Sequence, residues 1–335
     1  MVILPGVHCY RSQQAAIAAI RDYKVSLLRN AIGRGTSSRD QSCACDAFIY
    51  QPKSPTKPPL LLLGGMGPYA GASIFEYACN RFNDDRVVML YQACSTRDRT
   101  EVIRHVMDSG SQDAAVALAD QVVAALMRAV GLLYSEVLNQ TPSGNVPNQI
   151  DCVMSCNTVH YFLPLIRQRI EQGENSVLRR LQFASIIEAA VSQLRPGLPV
   201  VLTATTGTLL CGIYARALRR AKVPLILPST DAQDALMRAI YQGMKAFNPA
   251  VARAAGNEFF GRLLPEARQV DTIVAACSEV PLLFQAIAPQ MRPELAQLFH
   301  SKHMIDPVVS VIDQLHIGGV STGGVGQASA ARCGG

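Results

Sequence analysis

The chain has 335 residues, enough for about two domains of ordinary size. Its 49% hydrophobic and 17% charged content supplies a core and excludes a largely disordered chain. With no Trp and only 6% aromatics a base-stacking nucleic-acid surface is not expected, so the net charge of +6 points to an anionic partner or a basic segment.

Residues 1–59 read as an N-terminal extension and linker. Residues 1–57 hold eight cations and three acids, so about +5 of the charge lies there and the body is close to neutral. Residues 14–28 fit one helix. Residues 33–42 are rich in Gly, Ser and Arg, and 51–59 carry four prolines, which are linker signals. A basic, acid-poor segment of this kind fits a transit or secretion segment as well as a helical cap.

From residue 60 onward short apolar runs alternate with amphipathic stretches. Strands are predicted at 60–63, 86–93, 152–155, 199–203, 225–227 and 272–275. Helices are predicted at 70–82, 112–134, 160–172, 208–221, 231–247 and 280–288. Alternation of this kind predicts parallel sheets in an α/β protein. Residues 317–335 read as a flexible tail.

The second half echoes the first. Leu60–Leu63 leads into a Gly turn, and so does the strand that begins near Val200. Strands ending at Cys156 and Cys277 each run into a helix. The layout predicts two similar parallel-sheet α/β domains in a pseudo-twofold arrangement, with the active site in the cleft between them. The first is expected over 60–160 plus 296–316, the second over 161–295.

Ten scattered Cys in a chain this long do not make a disulfide framework, which points to a reducing, cytoplasmic setting. No uninterrupted apolar run reaches the roughly 18 residues of a spanning helix, so no membrane span is expected. Cys43 and Cys45 have no nearby His pair, and no metal site is expected.

In open α/β sheets ligands bind beyond the carboxyl ends of strands. Cys156 and Cys277 are both predicted there, each before a helix N-terminus that favours a thiolate and an anionic ligand. Asn157, Thr158 and Ser278 are expected to cap those helices. His160 and Glu279, each close to a Cys, are candidates to tune a thiol or to cap. The turn Gly64-Gly-Met-Gly-Pro68 lacks the dinucleotide glycine spacing and reads as a tight strand-to-helix turn whose N–H groups could cradle an anion. Arg97 and Arg99, after the second strand, carry guanidinium groups suited to a carboxylate.

Together these motifs resemble the aspartate/glutamate racemase superfamily, its aspartate racemase branch in particular. The matching segments are Gly64-Gly-Met-Gly-Pro68, Asp98-Arg-Thr100, Cys156-Asn-Thr-Val-His160, Thr206-Gly-Thr208 with Gly212 and Tyr214, Met244-Lys245, and Cys277-Ser-Glu-Val-Pro281. They fall in family order over about residues 60–316. The resemblance implies a cofactor-independent, two-base racemase with Cys156 and Cys277 as the catalytic thiols. It implies that Arg99 and Lys245 bind carboxylates of a small dicarboxylic amino acid, aspartate first and glutamate next. It places Asn157, Thr158, Thr206, Thr208, Ser278, Met66 and Gly67 around the substrate, and it implies a homodimer. Arg97 stands where the family usually has Pro and adds a cation near the expected side-chain carboxylate pocket. Two other functions fit the same superfamily layout: an isomerase or decarboxylase of a small dicarboxylate, and a non-catalytic interaction protein on the racemase fold.

Overall fold

The structure is a computed structural model that describes residues 6–32, 46–65, 67–138 and 148–318. The first half runs β1 (Val7–Tyr10), α1 (Gln13–Ile32), β2 (Ala47–Tyr50), β3 (Leu60–Gly64), α2 (Pro68–Phe82), β4 (Val88–Gln92), α3 (Arg99–Ser109), α4 (Asp113–Glu136), β5 (Ile150–Met154), α5 (Leu163–Gln172) and β6 (Leu181–Phe183). The second runs α6 (Ile186–Val191), β7 (Val200–Ala204), α7 (Thr206–Leu210), α8 (Ile213–Arg220), β8 (Leu225–Ile226), α9 (Thr230–Arg238), α10 (Pro249–Arg262), α11 (Leu264–Ala267), β9 (Thr272–Ala276), α12 (Glu279–Ile287), α13 (Pro293–His300), β10 (His303–Ile305) and α14 (Pro307–Ile317).

Two sheets result, in orders β1-β2-β4-β3-β5-β6 and β10-β9-β7-β8. Every pairing is parallel except that of β2 with β4. The α/β class with parallel sheets follows from the alternation in the sequence. Leu60–Leu63 form an unbroken apolar run because both faces of β3 are covered. Leu61 and Leu63 pack under α4 and α5, while Leu60 and Leu62 face the other way. That second face meets Val200 and Leu202 of β7, together with α2, α6, α8 and α14, in one apolar cluster common to both sheets. The far face of the second sheet is covered by α9, α10, α12 and α13.

Several expectations are corrected. Residues 6–32 and 46–59 are not a detached extension: β1 and β2 extend the first sheet, and α1 lies against α2. Ile20 and Tyr23 of α1 are buried against Phe48 and Phe75, while Lys24 and Arg21 hold Glu76 at 2.5 and 2.6 Å. Lys57 donates to the carbonyl of His316 at 2.8 Å. The expected domain boundaries also shift. β6 pairs with β5, so the first sheet runs past residue 160, and β10 pairs with β9, so it belongs to the second sheet. Residues 33–45, with Cys43 and Cys45, and the tail from 319 lie outside the described residues.

Helices predicted as single pieces are segmented. The 160–172 helix is a tight turn, Thr158–Phe162, followed by α5, with Pro164 in its first turn. Gly212, at φ 63°, splits 208–221 into α7 and α8. Beyond α9 the chain widens into a π-helical turn, Ala239–Met244. α3 was not expected; Asp98 caps it through both Thr100 and Glu101 N–H. α4 is long and apolar enough to cross a membrane by length and composition. One face of it, from Ala115 through Leu118, Val122, Leu126 and Leu133, is buried in the first core, as in a core helix.

At the opposite end of the first sheet, the buried Arg86 guanidinium pairs with Asp151 of β5 and donates from Nε to the carbonyl of Pro58 at 2.7 Å. Its plane lies over the Phe82 ring, 4.8 Å from the centroid. Removing one partner of such a pair leaves the other charge buried alone. Arg86→Met should therefore lower the unfolding free energy by about 3–5 kcal/mol, read from urea denaturation; a loss below about 1 kcal/mol would show that the pair does not hold the sheet.

Candidate active site

Five loops at the carboxyl ends of the strands converge on one pocket. β5 delivers Ser155, Cys156 and Asn157, and β9 delivers Cys277, Ser278 and Glu279. β3 delivers Gly67, and the start of α3 delivers Arg99 and Thr100. β7 delivers Thr205 and Thr208, while the π-helical turn places Tyr241 inside and ends beside Lys245. The two predicted thiols thus line the same pocket, with both predicted cations.

The thiols have different neighbours. Cys156 is part-exposed, and the buried Arg99 guanidinium hydrogen-bonds to its side chain. Burial works against the charge on Arg99, but Cys156 and Asp98 outweigh it and raise its pKa. Cys277 is buried, and its Sγ lies 2.9 Å from Glu279 Oε2. Burial and then the Glu279 charge push this thiol well up, against a smaller pull from Lys245. A Cβ on Gly67 would come within 1.9 Å of Glu279 Oε1, so the carboxylate occupies space that only glycine leaves.

Lys245 Nζ sits over the Tyr241 ring, 4.3 Å from its centroid. The Tyr241 hydroxyl donates to Asp98 Oδ2 at 2.9 Å and lies 3.0 Å from Thr100 Oγ1. Burial pushes the Asp98 carboxyl up, yet Arg99 and Lys245 more than offset it and hold it below its ordinary range. Tyr241 therefore ties the second half to the cap of α3. Thr158 makes a similar crossing, 2.8 Å from Thr208 and 3.3 Å from Thr205. Gly207 lets α7 approach α3: a Cβ there would lie 2.7 Å from Thr100 Cα.

Not every expected residue reaches the pocket. Thr206 faces α9, its hydroxyl 3.4 Å from Gln233 Nε2. Arg97 is exposed, and its carbonyl accepts from Arg99 Nη1 at 3.0 Å. His160 is buried behind the site and donates from Nδ1 to the Cys156 carbonyl at 3.0 Å. Burial lowers its pKa to about 4, so the ring is neutral near pH 7. Asn157 and Ser278 occupy cap positions without a side-chain capping bond. Asn157 instead accepts from the Tyr214 hydroxyl, and Ser278 lies 3.3 Å from Glu279. Met66 lies outside the described residues.

Thr100, Ser155, Thr205, Ala276 and Tyr241 line the pocket without having been singled out. Ser155 and Ala276 could have been found as neighbours of the two Cys, and Tyr241 by its spacing of four from Lys245. Among the described residues no three His, Cys, Asp or Glu side chains are grouped to hold a metal ion.

The family model for Asp/Glu/Hydantoin racemases matches residues 63–315. Among solved structures the fold is similar to that of an aspartate racemase from Picrophilus torridus, at 19% identity and TM-score 0.52, covering 78% of this chain and 94% of that one. An aspartate racemase homologue from Pyrococcus horikoshii aligns at 14% identity and TM-score 0.47, covering 77% and 97%. A glutamate racemase from Aquifex pyrophilus aligns at 16% and 0.44, covering 78% and 83%. The Picrophilus likeness speaks to the fold; the family match spans most of the chain, from the end of β3 to α14, and on that match the chain belongs to the Asp/Glu/Hydantoin racemase family.

Proposed function

We propose that this chain racemises a small dicarboxylic amino acid, aspartate first and glutamate next, by proton transfer between its α-carbon and two thiols. The observation that carries the reading is that Cys156 and Cys277 line one pocket with Arg99 and Lys245. A racemase must remove a proton from one face of a carbon and deliver one to the other, which two bases from two halves of a fold can do. Two cations in the same pocket suit the two carboxylates of the substrate.

In one direction the Cys156 thiolate takes the α-proton. The Cα–H bond breaks, an S–H bond forms, and the electron pair moves into the substrate's α-carboxylate system. The Cys277 S–H bond then breaks as its proton goes to the opposite face. The reverse direction exchanges the two roles. Arg99 stands beside Cys156, and burial with the Glu279 charge favours the thiol on Cys277, which suits this starting state. Thr158, Thr208 and Ser278 add hydroxyls at the pocket wall, and Lys245, held on Tyr241, takes the side-chain carboxylate. The step uses side chains and substrate alone.

Purified protein incubated with single enantiomers of aspartate or glutamate in D2O should incorporate α-deuterium and lose optical activity. Inactivity on both substrates would refute the reading, and consumption of maleate or a malonate would move it to the dicarboxylate isomerase or decarboxylase class. Cys156→Ser and Cys277→Ser should each lower kcat/KM by about 10²- to 10⁴-fold, and a full-rate single variant would remove that thiol from the mechanism.

Lys245→Met should raise KM for aspartate about tenfold or more, the loss of one charged contact, with a smaller change in kcat. Glu279→Gln removes the neighbouring charge that, after burial, raises the Cys277 pKa. The pH at which Cys277 begins to act as base should therefore fall; a profile unmoved, or moved upward, would contradict that role.

A further inference from the structure

Asn157 is 3% exposed and lines the pocket. Its Oδ1 accepts from the Tyr214 hydroxyl at 2.5 Å, across the two halves of the fold. Its Nδ2 has no hydrogen-bond partner. A buried donor without a partner is uncommon in a folded protein and marks a place that a ligand completes. The neighbours define the ligand: Arg99 and Lys245 line the same pocket, so an anionic oxygen fits.

A side-chain amide can turn over and exchange its N and O. What prevents that here is Tyr214, which is fully buried on α8. Among the described residues its hydroxyl proton has one acceptor, Asn157 Oδ1, and with the amide turned over that buried proton would lose its partner. Only the oxygen of the amide can accept from it, and the nitrogen is left for the pocket.

We infer that Tyr214 is a positioning residue that fixes the Asn157 amide with Nδ2 presented to a substrate carboxylate. The inference rests on the proposed function and adds a residue to it. Asn157 adjoins Cys156 in the chain, so the anchored carboxylate stays next to the carbon that changes hand. Because Tyr214 belongs to the second half, the anchor is set only when the two halves are packed together.

The test is calorimetric binding of succinate, a dicarboxylate with no amino group, alongside racemisation kinetics with aspartate. Tyr214→Phe keeps the ring in the core and removes the hydroxyl. It should weaken succinate about tenfold and raise KM by a similar factor, with kcat within about threefold of wild type. Tyr50→Phe removes a comparable hydroxyl, bonded to Asp84 at 2.7 Å, and should change neither. In an Asn157→Ala background Tyr214→Phe should add no further loss. Asn157→Asp, which keeps an acceptor for Tyr214 but loses the donor, should also bind succinate about tenfold or more weakly.

Wild-type affinity in Tyr214→Phe or in Asn157→Asp overturns the inference, as does a full additive loss in the double variant. If wild type neither binds succinate nor racemises, the functional reading falls and takes this inference with it. If wild type does both and Tyr214→Phe is unchanged, only the inference falls.

Discussion

The site depends on an apolar contact made well below it. Leu60 and Leu62 of β3 and Val200 and Leu202 of β7 belong to a single buried cluster, so the two sheets share a core between them while each keeps another on its far face. Parallel strands present their carboxyl ends in one direction, and two sheets joined through that core bring those ends to a common pocket. Close-packed interiors deform little, which gives the thiols a fixed frame. Polar crossings refine the frame at its rim: Thr158 with Thr208, Tyr241 with Asp98, and Tyr214 with Asn157.

Within that frame the halves are alike in backbone and unlike in charge. Each supplies a strand, a Cys just past its end and a helical turn. One Cys meets a guanidinium, the other a carboxylate and a dry wall. Duplicated layout supplies two thiols to one pocket; divergent neighbours give them different electrostatic surroundings. The π-helical turn that carries Tyr241 is a local departure from regular helix beside the pocket.

Much of this was legible in the sequence because it rests on local chemistry. The alternation of apolar runs and amphipathic stretches specified the parallel sheets, and the two strand-end Cys specified the pocket. What escaped depends on partners far along the chain. The basic residues Arg21, Lys24 and Lys57 suggested a segment apart from the body, yet each meets a group on the body: Glu76 for the first two, Asp85 and the His316 carbonyl for the third. Nothing adjacent to them names those partners. Strand membership failed for the same reason, since β6 and β10 are three residues each and are defined by the neighbours they pair with. Thr206 sat in a matching motif and Arg97 just before one, but helix phase turned the first toward α9 and loop exposure turned the second to solvent.

The packing of α14 has a consequence for how the protein is made. Val308, Val311, Ile312 and Leu315 fill the core shared by the two sheets, and Asp313 accepts from Tyr77 and Arg81 of α2, more than 230 positions earlier. A chain emerging from the ribosome can form both sheets before α14 appears, but their common core stays open on one side until it does. Until α14 packs there, apolar surface from both halves is uncovered. Closure of the shared core therefore waits on contacts of long sequence separation rather than on either half alone.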